Sequence, residues 1–208
     1  QISDCIRNEL GGLGEDFVEE EGTSMHINEP GELTYQEGLV ILNDSGAEDP
    51  LGIRIVQKSY ADLIYETRNG VIFHYTLVNE SNADLAGLYS GLFFDWDVMD
   101  YNLNVANYNA DHQMVYVQDQ EENPAHFVGS MLMNVGLGAN IDALYNASDG
   151  VYQYSNAFKW THMTGGINEE SASNADVSTY AGIGPVDISA GDSISFGIAV
   201  FAASSIYE

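Results

Sequence analysis

Apolar residues in this chain come in short runs, each stopped by glycine, asparagine, aspartate or serine. Leu33–Leu42 lies between Gly31 and the turn Asn43-Asp44-Ser45-Gly46, and Leu51–Tyr60 sets Ile53 and Ile55 against Arg54 and Val56. Asp62–Thr67 and Val71–Val78 flank Arg68-Asn69-Gly70, and Asn-Gly between two apolar runs is a strong hairpin signal. Val71–Val78 is aromatic and β-branched on both faces, which predicts a central strand. Leu88–Asp95, Met114–Gln118, Phe127–Asn134 and Gly150–Tyr154 read as further strands, and Ser193–Ala202 alternates cleanly enough to close a sheet. Asp84–Leu88 and Ile141–Tyr145 read as short helical turns, and no segment keeps a helical period over three turns with caps. The expectation is an all-β fold: one β-sandwich or jelly-roll domain of roughly eight or more strands, covering 25–208. Residues 1–24, rich in glycine and glutamate, are expected to be a mobile or loosely docked acidic leader.

Charge narrows the function. Lys plus Arg number 5 against 32 Asp plus Glu, a formal net charge of -27. Such a chain repels nucleic acid and anionic membrane, and it repels itself unless salt or divalent cations intervene. No apolar stretch reaches transmembrane length, so no membrane insertion is expected. Cys5 is the single cysteine, so an internal disulfide or a zinc ribbon is excluded. The chain begins at Gln1, which reads as a processed protein or an excised domain. The acidity and the shortage of lysine point to an extracellular or cell-surface setting. Asn-x-Ser triplets stand at Asn43, Asn79 and Asn146.

The candidate chemistry lies where an apolar strand runs into oxygen donors. Gly91-Leu92-Phe93-Phe94-Asp95-Trp96-Asp97 is followed by Asp100, Asn102 and Asn104. Carboxylate and amide oxygens at alternate positions suit Ca²⁺, which takes about six to eight oxygen ligands. Asp95, Asp97, Asp100, Asn102 and Asn104 are the expected ligands, with Asn107, Asn109 and Asp111 as a second group. The spacing is not that of an EF-hand, and the ion would pin the long loop from Asp95 to Met114. The plainer alternative is a polar turn ending a strand. Asp142, Asp149, Glu169, Glu170 and Asp176 are candidates for a weaker site, against the plainer reading of a solvated acidic surface.

Catalytic patterns are thin. Gly22-Thr23-Ser24-Met25 matches the tetrapeptide around a subtilisin-type nucleophile, but Pro30 and Gly31 follow where a buried helix is required. His26, His74, His112, His126 and His162 form no HExxH or zinc-finger spacing, and His112 beside Asp111 is at most a supporting group for a metal. Asp95 and Asp97 would share a strand face about 6–7 Å apart, as paired glycosidase carboxylates can, but Trp96 would point the other way. Tyr101, Tyr108, Tyr116, Tyr152 and Tyr154 would serve a glycan-binding surface only if the fold gathered them.

Ile72-Phe73-His74-Tyr75-Thr76-Leu77-Val78-Asn79 and Leu88-Tyr89-Ser90-Gly91-Leu92-Phe93-Phe94-Asp95-Trp96-Asp97 resemble a β-rich region of large secreted bacterial proteins. Many of those are subtilisin-like serine peptidases carrying this region after the catalytic domain. Lys159-Trp160, Asp176-Val177-Ser178, Gly184-Pro185-Val186-Asp187-Ile188 and Gly191-Asp192-Ser193 follow in the same order, so the resemblance spans about 25–203. It implies a secreted, non-catalytic β-domain and carries over no catalytic residue. The expectation is therefore an accessory or surface domain, calcium-stabilised, whose partner is a larger parent polypeptide or copies of itself. One alternative is a self-assembling subunit of a filament or surface layer, whose leader 1–24 adds a strand to a neighbour. The other is a glycan-binding module.

Overall fold

Strict alternation gives each apolar run one dry face and one wetter face, and the strands follow from burying the dry ones together. A computed structural model describes residues 15–64, 68–120, 126–133, 136–145, 155–168 and 172–204, with side chains left out at 144–145 and 173–175. In chain order the strands are β1 (Val18–Glu19), β2 (His26–Asn28), β3 (Gln36–Asn43), β4 (Ile53–Ala61), β5 (Gly70–Asn79) and β6 (Leu85–Trp96). They continue with β7 (Asn104–Asn109), β8 (Met114–Asp119), β9 (Phe127–Leu132), β10 (Ala139–Tyr145), β11 (Ala172–Ala175), β12 (Val177–Ile188) and β13 (Ser193–Ala203). A 3-10 turn, Tyr101–Leu103, precedes β7, and one α-helix, α1 (Asn156–Thr164), precedes β11.

These strands make a two-sheet antiparallel β-sandwich. The large sheet runs β1-β3-β4-β5-β13-β9-β8-β7-β11, with β2 also on β3, and the small sheet runs β10-β12-β6. Tyr75 and Leu77 of β5, Phe196 and Ile198 of β13, Val115 of β8 and Leu132 of β9 face inward. They meet Ile141 of β10 and Ala181, Ile183, Val186 and Ile188 of β12. A second cluster, Val98, Ala106, Val117, Ala172 and Val177, packs around Trp96 near the end of β6. Val71–Val78 is central as its composition predicts, because β5 lies between β4 and β13. Ser193–Ala202 does not close a sheet. As β13 it lies between β5 and β9 and joins the β3-β4-β5 meander to the β9-β8-β7 meander.

Two expected helical turns are strands. Asp84–Leu88 enters β6, where Gly87 takes φ +65° and its N–H donates to the Asp187 carboxylate at 2.8 Å. Ile141–Tyr145 belongs to β10, whose Ile141 is fully buried opposite Ala181 of β12. In the expected strand Asp62–Thr67, residues 62–64 are irregular, with Leu63 and Ile64 exposed, and 65–67 lie outside the described residues. Gly150–Tyr154 also lies outside them. Of the leader, the described residues 15–24 dock on β3. Val18 and Glu19 pair with Asn43 and Leu42, and the Glu20 carboxylate accepts from Arg54 Nε at 2.6 Å.

The helix covers the outer face of the small sheet, packing on β10, β12 and β6. Its N-cap is Ser155, whose hydroxyl accepts from the Phe158 N–H at 3.2 Å. At nine residues it is too short to hold itself in water, so its helicity depends on that packing. With the core on one side and α1 on the other, β12 is buried at every position from Val177 to Gly184. Side-chain acceptors fasten the loops. The Asp44 carboxylate takes the N–H groups of Leu51, Gly52 and Ile53 at 2.6, 3.2 and 3.1 Å and closes the β3–β4 connection.

Candidate functional site

The oxygen-rich segment forms a tight corner between β6 and β7, which brings the chain from the small sheet to the large one. Asn104 is fully buried. Its Nδ2 donates to Val98 O at 2.7 Å and Asp100 O at 3.1 Å, while its Oδ1 accepts from Val98 N at 3.0 Å. The carboxamide thus clamps the backbone on both sides of Met99, which is exposed and held at φ +54°. Asp100 caps the 3-10 turn, its Oδ1 accepting from Asn102 N and Asn102 Nδ2, each at 3.1 Å. Asp95 is exposed at the end of β6 and accepts from Ser178 Oγ at 3.1 Å. Asp97 is exposed as well. Trp96 points to the opposite face, stacks on Phe94 at 5.0 Å and donates from its indole N–H to Thr179 Oγ1 at 2.8 Å.

The second group does not join this corner. Asn104 and Asn109 stand at opposite ends of β7, about 16 Å apart at strand rise. Asn107 is part of β7, and Asp111 lies in the β7–β8 turn. There His112 Nδ1 and Asn109 Oδ1 are 3.1 Å apart. The loop expected from Asp95 to Met114 is therefore a short corner followed by a strand. In the weaker set, Asp142 lies opposite Tyr180, which is about 13 Å along β12 from Asp176. Asp149, Glu169 and Glu170 lie outside the described residues. Among the described residues no three His, Cys, Asp or Glu side chains converge as a metal site.

A different constellation forms beneath α1. Asp142, buried on β10, has its Oδ2 2.5 Å from His162 Nδ1, and its Oδ1 accepts from Asn168 Nδ2 at 2.8 Å. The His162 ring lies 4.3 Å from that of Phe158, one helical turn earlier. Asn140, also buried, donates to Gly184 O at 2.8 Å and accepts from Gly166 N at 3.0 Å. Together they fasten the helix and the strap after it to the sheet. Between them the Tyr180 ring lies over Gly91 and Gly182, where a Cβ on either would collide with its hydroxyl. Burial pushes the Tyr180 phenol well above its ordinary pKa. Nothing in the sequence pairs Asp142 with His162, because the contact is made only when α1 lies across β10.

The remaining candidates are scattered. Ser24 is exposed between β1 and β2 and starts no helix. Tyr101 is exposed beside the corner, Tyr108 packs toward the core, and Tyr116 lies against Phe127 on the large sheet. These three tyrosines do not share a surface, and Tyr152 and Tyr154 lie outside the described residues. Of the three triplets, Asn79 is fully buried and its carboxamide is engaged on both sides, so the folded chain cannot carry a glycan there. Cys5 and Asn146 lie outside the described residues. No protein-family model matches the chain, and no curated protein matches it at significant similarity.

Proposed function

We propose that this chain is a non-catalytic extracellular β-sandwich domain that serves as an accessory or surface domain of a larger secreted bacterial protein. The observation that carries the reading is the use of its buried polar side chains. Asp44, Asn79, Asn104, Asn140 and Asp142 each fasten a loop, a corner or α1 through hydrogen bonds to backbone or neighbouring side chains. Such a framework suits a rigid module that presents surfaces. The acidic composition supports the extracellular setting.

The size of the native polypeptide tests this. Immunoblots of the source medium and cell surface with an antibody to this segment should show a species much larger than 22.7 kDa. A native species at that mass would overturn the accessory reading in favour of a free-standing structural subunit.

Calcium enters the proposal at Asp95, Asp97, Asp100 and Asn102, which are exposed, whereas the Asn104 carboxamide is turned into its own loop. By mass action, calcium at one hundred times its dissociation constant adds about 2.7 kcal/mol to stability. The melting temperature is therefore expected to rise with excess calcium and fall with EDTA, and Asp97→Ala is expected to remove most of the response. An unchanged melt in EDTA would remove calcium from the proposal.

A further inference from the structure

Each sheet of a sandwich turns one face to the core and one away from it, and alternate residues of a strand go to the two sides. The two outer faces differ here. Helix α1 lies across the outer face of the small sheet. Among the described residues no helix or further sheet lies over the outer face of the large one. That face is regular, because β3, β4, β5, β13 and β9 pair in this order without a shift of register. Ile55 of β4, Tyr75 and Leu77 of β5, and Phe196 and Ile198 of β13 point to the core, so the alternate residues of those strands point outward.

Many of the outward side chains are apolar. Leu39, Val56, Ile72, Phe201 and Met131 stand on the five strands, and Met133 follows β9. Leu39, Ile72 and Met133 are 38, 38 and 47% exposed. Two glycines make room for larger neighbours. The Phe201 ring lies over Gly129, 2.8 Å from where a Cβ would stand, and Met133 Cβ lies 3.4 Å from the same point on Gly197. Charge is sparse on this face. The chain has 32 Asp and Glu, yet Glu37 is the one carboxylate among the outward residues of these five strands. It accepts from the Leu33 and Thr34 N–H groups at 2.5 and 2.9 Å, and Lys58 of β4 offsets its charge. Arg54, near the start of β4, pairs with Glu20 and Glu80.

We propose that two copies of this chain pair through the outer face of the large sheet, face to face about a two-fold axis. Copies that each carry a net charge of -27 repel wherever their acids meet, and this face is where they can approach. A cationic partner would be drawn to the acidic surfaces instead. Apolar, aromatic and methionine side chains with few charges are the composition of an interface core. The area is sufficient. At about 4.8 Å between strands and about 3.3 Å per residue, five strands of about seven residues cover roughly 24 by 23 Å. Two such faces bury about 1,100 Å², above the roughly 1,000 Å² that a specific interface needs. Because each copy uses the same face, the assembly closes as a dimer. The inference does not rest on the accessory-domain reading.

The test uses the full chain. Analytical ultracentrifugation from dilute to concentrated solution should show a monomer–dimer equilibrium. Raising sodium chloride should shift it toward the dimer, because salt screens the repulsion and leaves the apolar contact in place. Ile72→Asp should raise the dimer dissociation constant at least about tenfold, a change of about 1.4 kcal/mol. Ile72→Val should leave it nearly unchanged. Tyr101→Asp, which adds the same charge at the exposed corner after β6, should also leave it nearly unchanged. A second measurement needs no variant. Hydroxyl-radical footprinting of the unaltered chain should show Met133 oxidised several-fold more slowly in the dimer, with Met99 oxidised at the same rate in both states.

A monomer at every concentration up to the solubility limit would overturn the proposal, as would a dimer that dissociates when salt is raised. A dimer equally tight with Ile72→Asp, or one that protects Met99 in place of Met133, would put the contact elsewhere and overturn it too. A polymer that grows with concentration would overturn the closed pair.

Discussion

Asn79→Ala is expected to cost about 3 kcal/mol of stability, because the fully buried carboxamide joins two turns that lie far apart in sequence. Its Nδ2 donates to Ala83 O at 2.8 Å and Ile188 O at 2.9 Å, and its Oδ1 accepts from Ser81 N at 3.0 Å and Ser81 Oγ at 2.7 Å. Its backbone adds Asn79 N to Asp192 O at 3.0 Å and Gly191 N to Asn79 O at 2.9 Å. The chain leaves the large sheet for the small one just after Asn79, and it returns through the β12–β13 turn bonded to the same residue. Alanine would keep the backbone bonds but remove the donor that reaches the buried Ile188 O and the acceptor that holds Ser81 N, while Ala83 O, on the exposed side of the turn, keeps Ser81 Oγ at 2.9 Å.

Denaturant unfolding should show a lower midpoint at unchanged m-value. In a chain of this size the melting temperature should fall by about 6–12 °C. Asn79→Asp should cost at least as much, because it replaces the donating amide with an oxygen facing two carbonyls. A loss below about 1 kcal/mol for both variants would show that the turns hold without this residue.

The second large effect is expected at Asp142. Asp142→Ala should cost about 2–3 kcal/mol, because it removes the acceptor shared by His162 Nδ1 and Asn168 Nδ2. His162→Ala should cost less, since that side chain is one quarter exposed and water can replace part of what it makes. Asp142→Asn should fall between, because its single carbonyl oxygen can serve one donor while its amino group meets the other. Amide exchange should accelerate across α1 and at Asn168 before it does so in β5 and β13. Equal acceleration throughout the sandwich would show that the helix unfolds only with the whole domain.

The fold was legible where alternation was strict. Phe196 and Ile198 in β13, and Tyr75 and Leu77 in β5, are the inward residues that period two selects, and both runs form strands close to the expected bounds. Legibility failed where burial came from both sides. β12 carries Val177, Thr179, Ala181 and Ile183 toward the large sheet, and Ser178, Tyr180 and Gly182 toward α1, so no polar face marks it as a strand. Helix α1 was missed for the converse reason, since nine residues hold only about two and a half turns of periodic signal. At the corner after β6, Asp95, Asp97, Asp100, Asn102 and Asn104 look alike as oxygen donors. Only the fold buries Asn104 and leaves the first three exposed.

The sequence by itself determined the all-β class, the central place of Val71–Val78 and the strongly acidic character of the chain. These follow from local alternation and from summed charge, neither of which depends on which strands become neighbours. Only the tertiary structure decided that the last strand joins two meanders, that Asn79 ties two distant turns, and that Asp142 meets His162. Each of those depends on a contact between segments far apart in the chain, and strand pairing across such distances is set by the competition of all strands for one core.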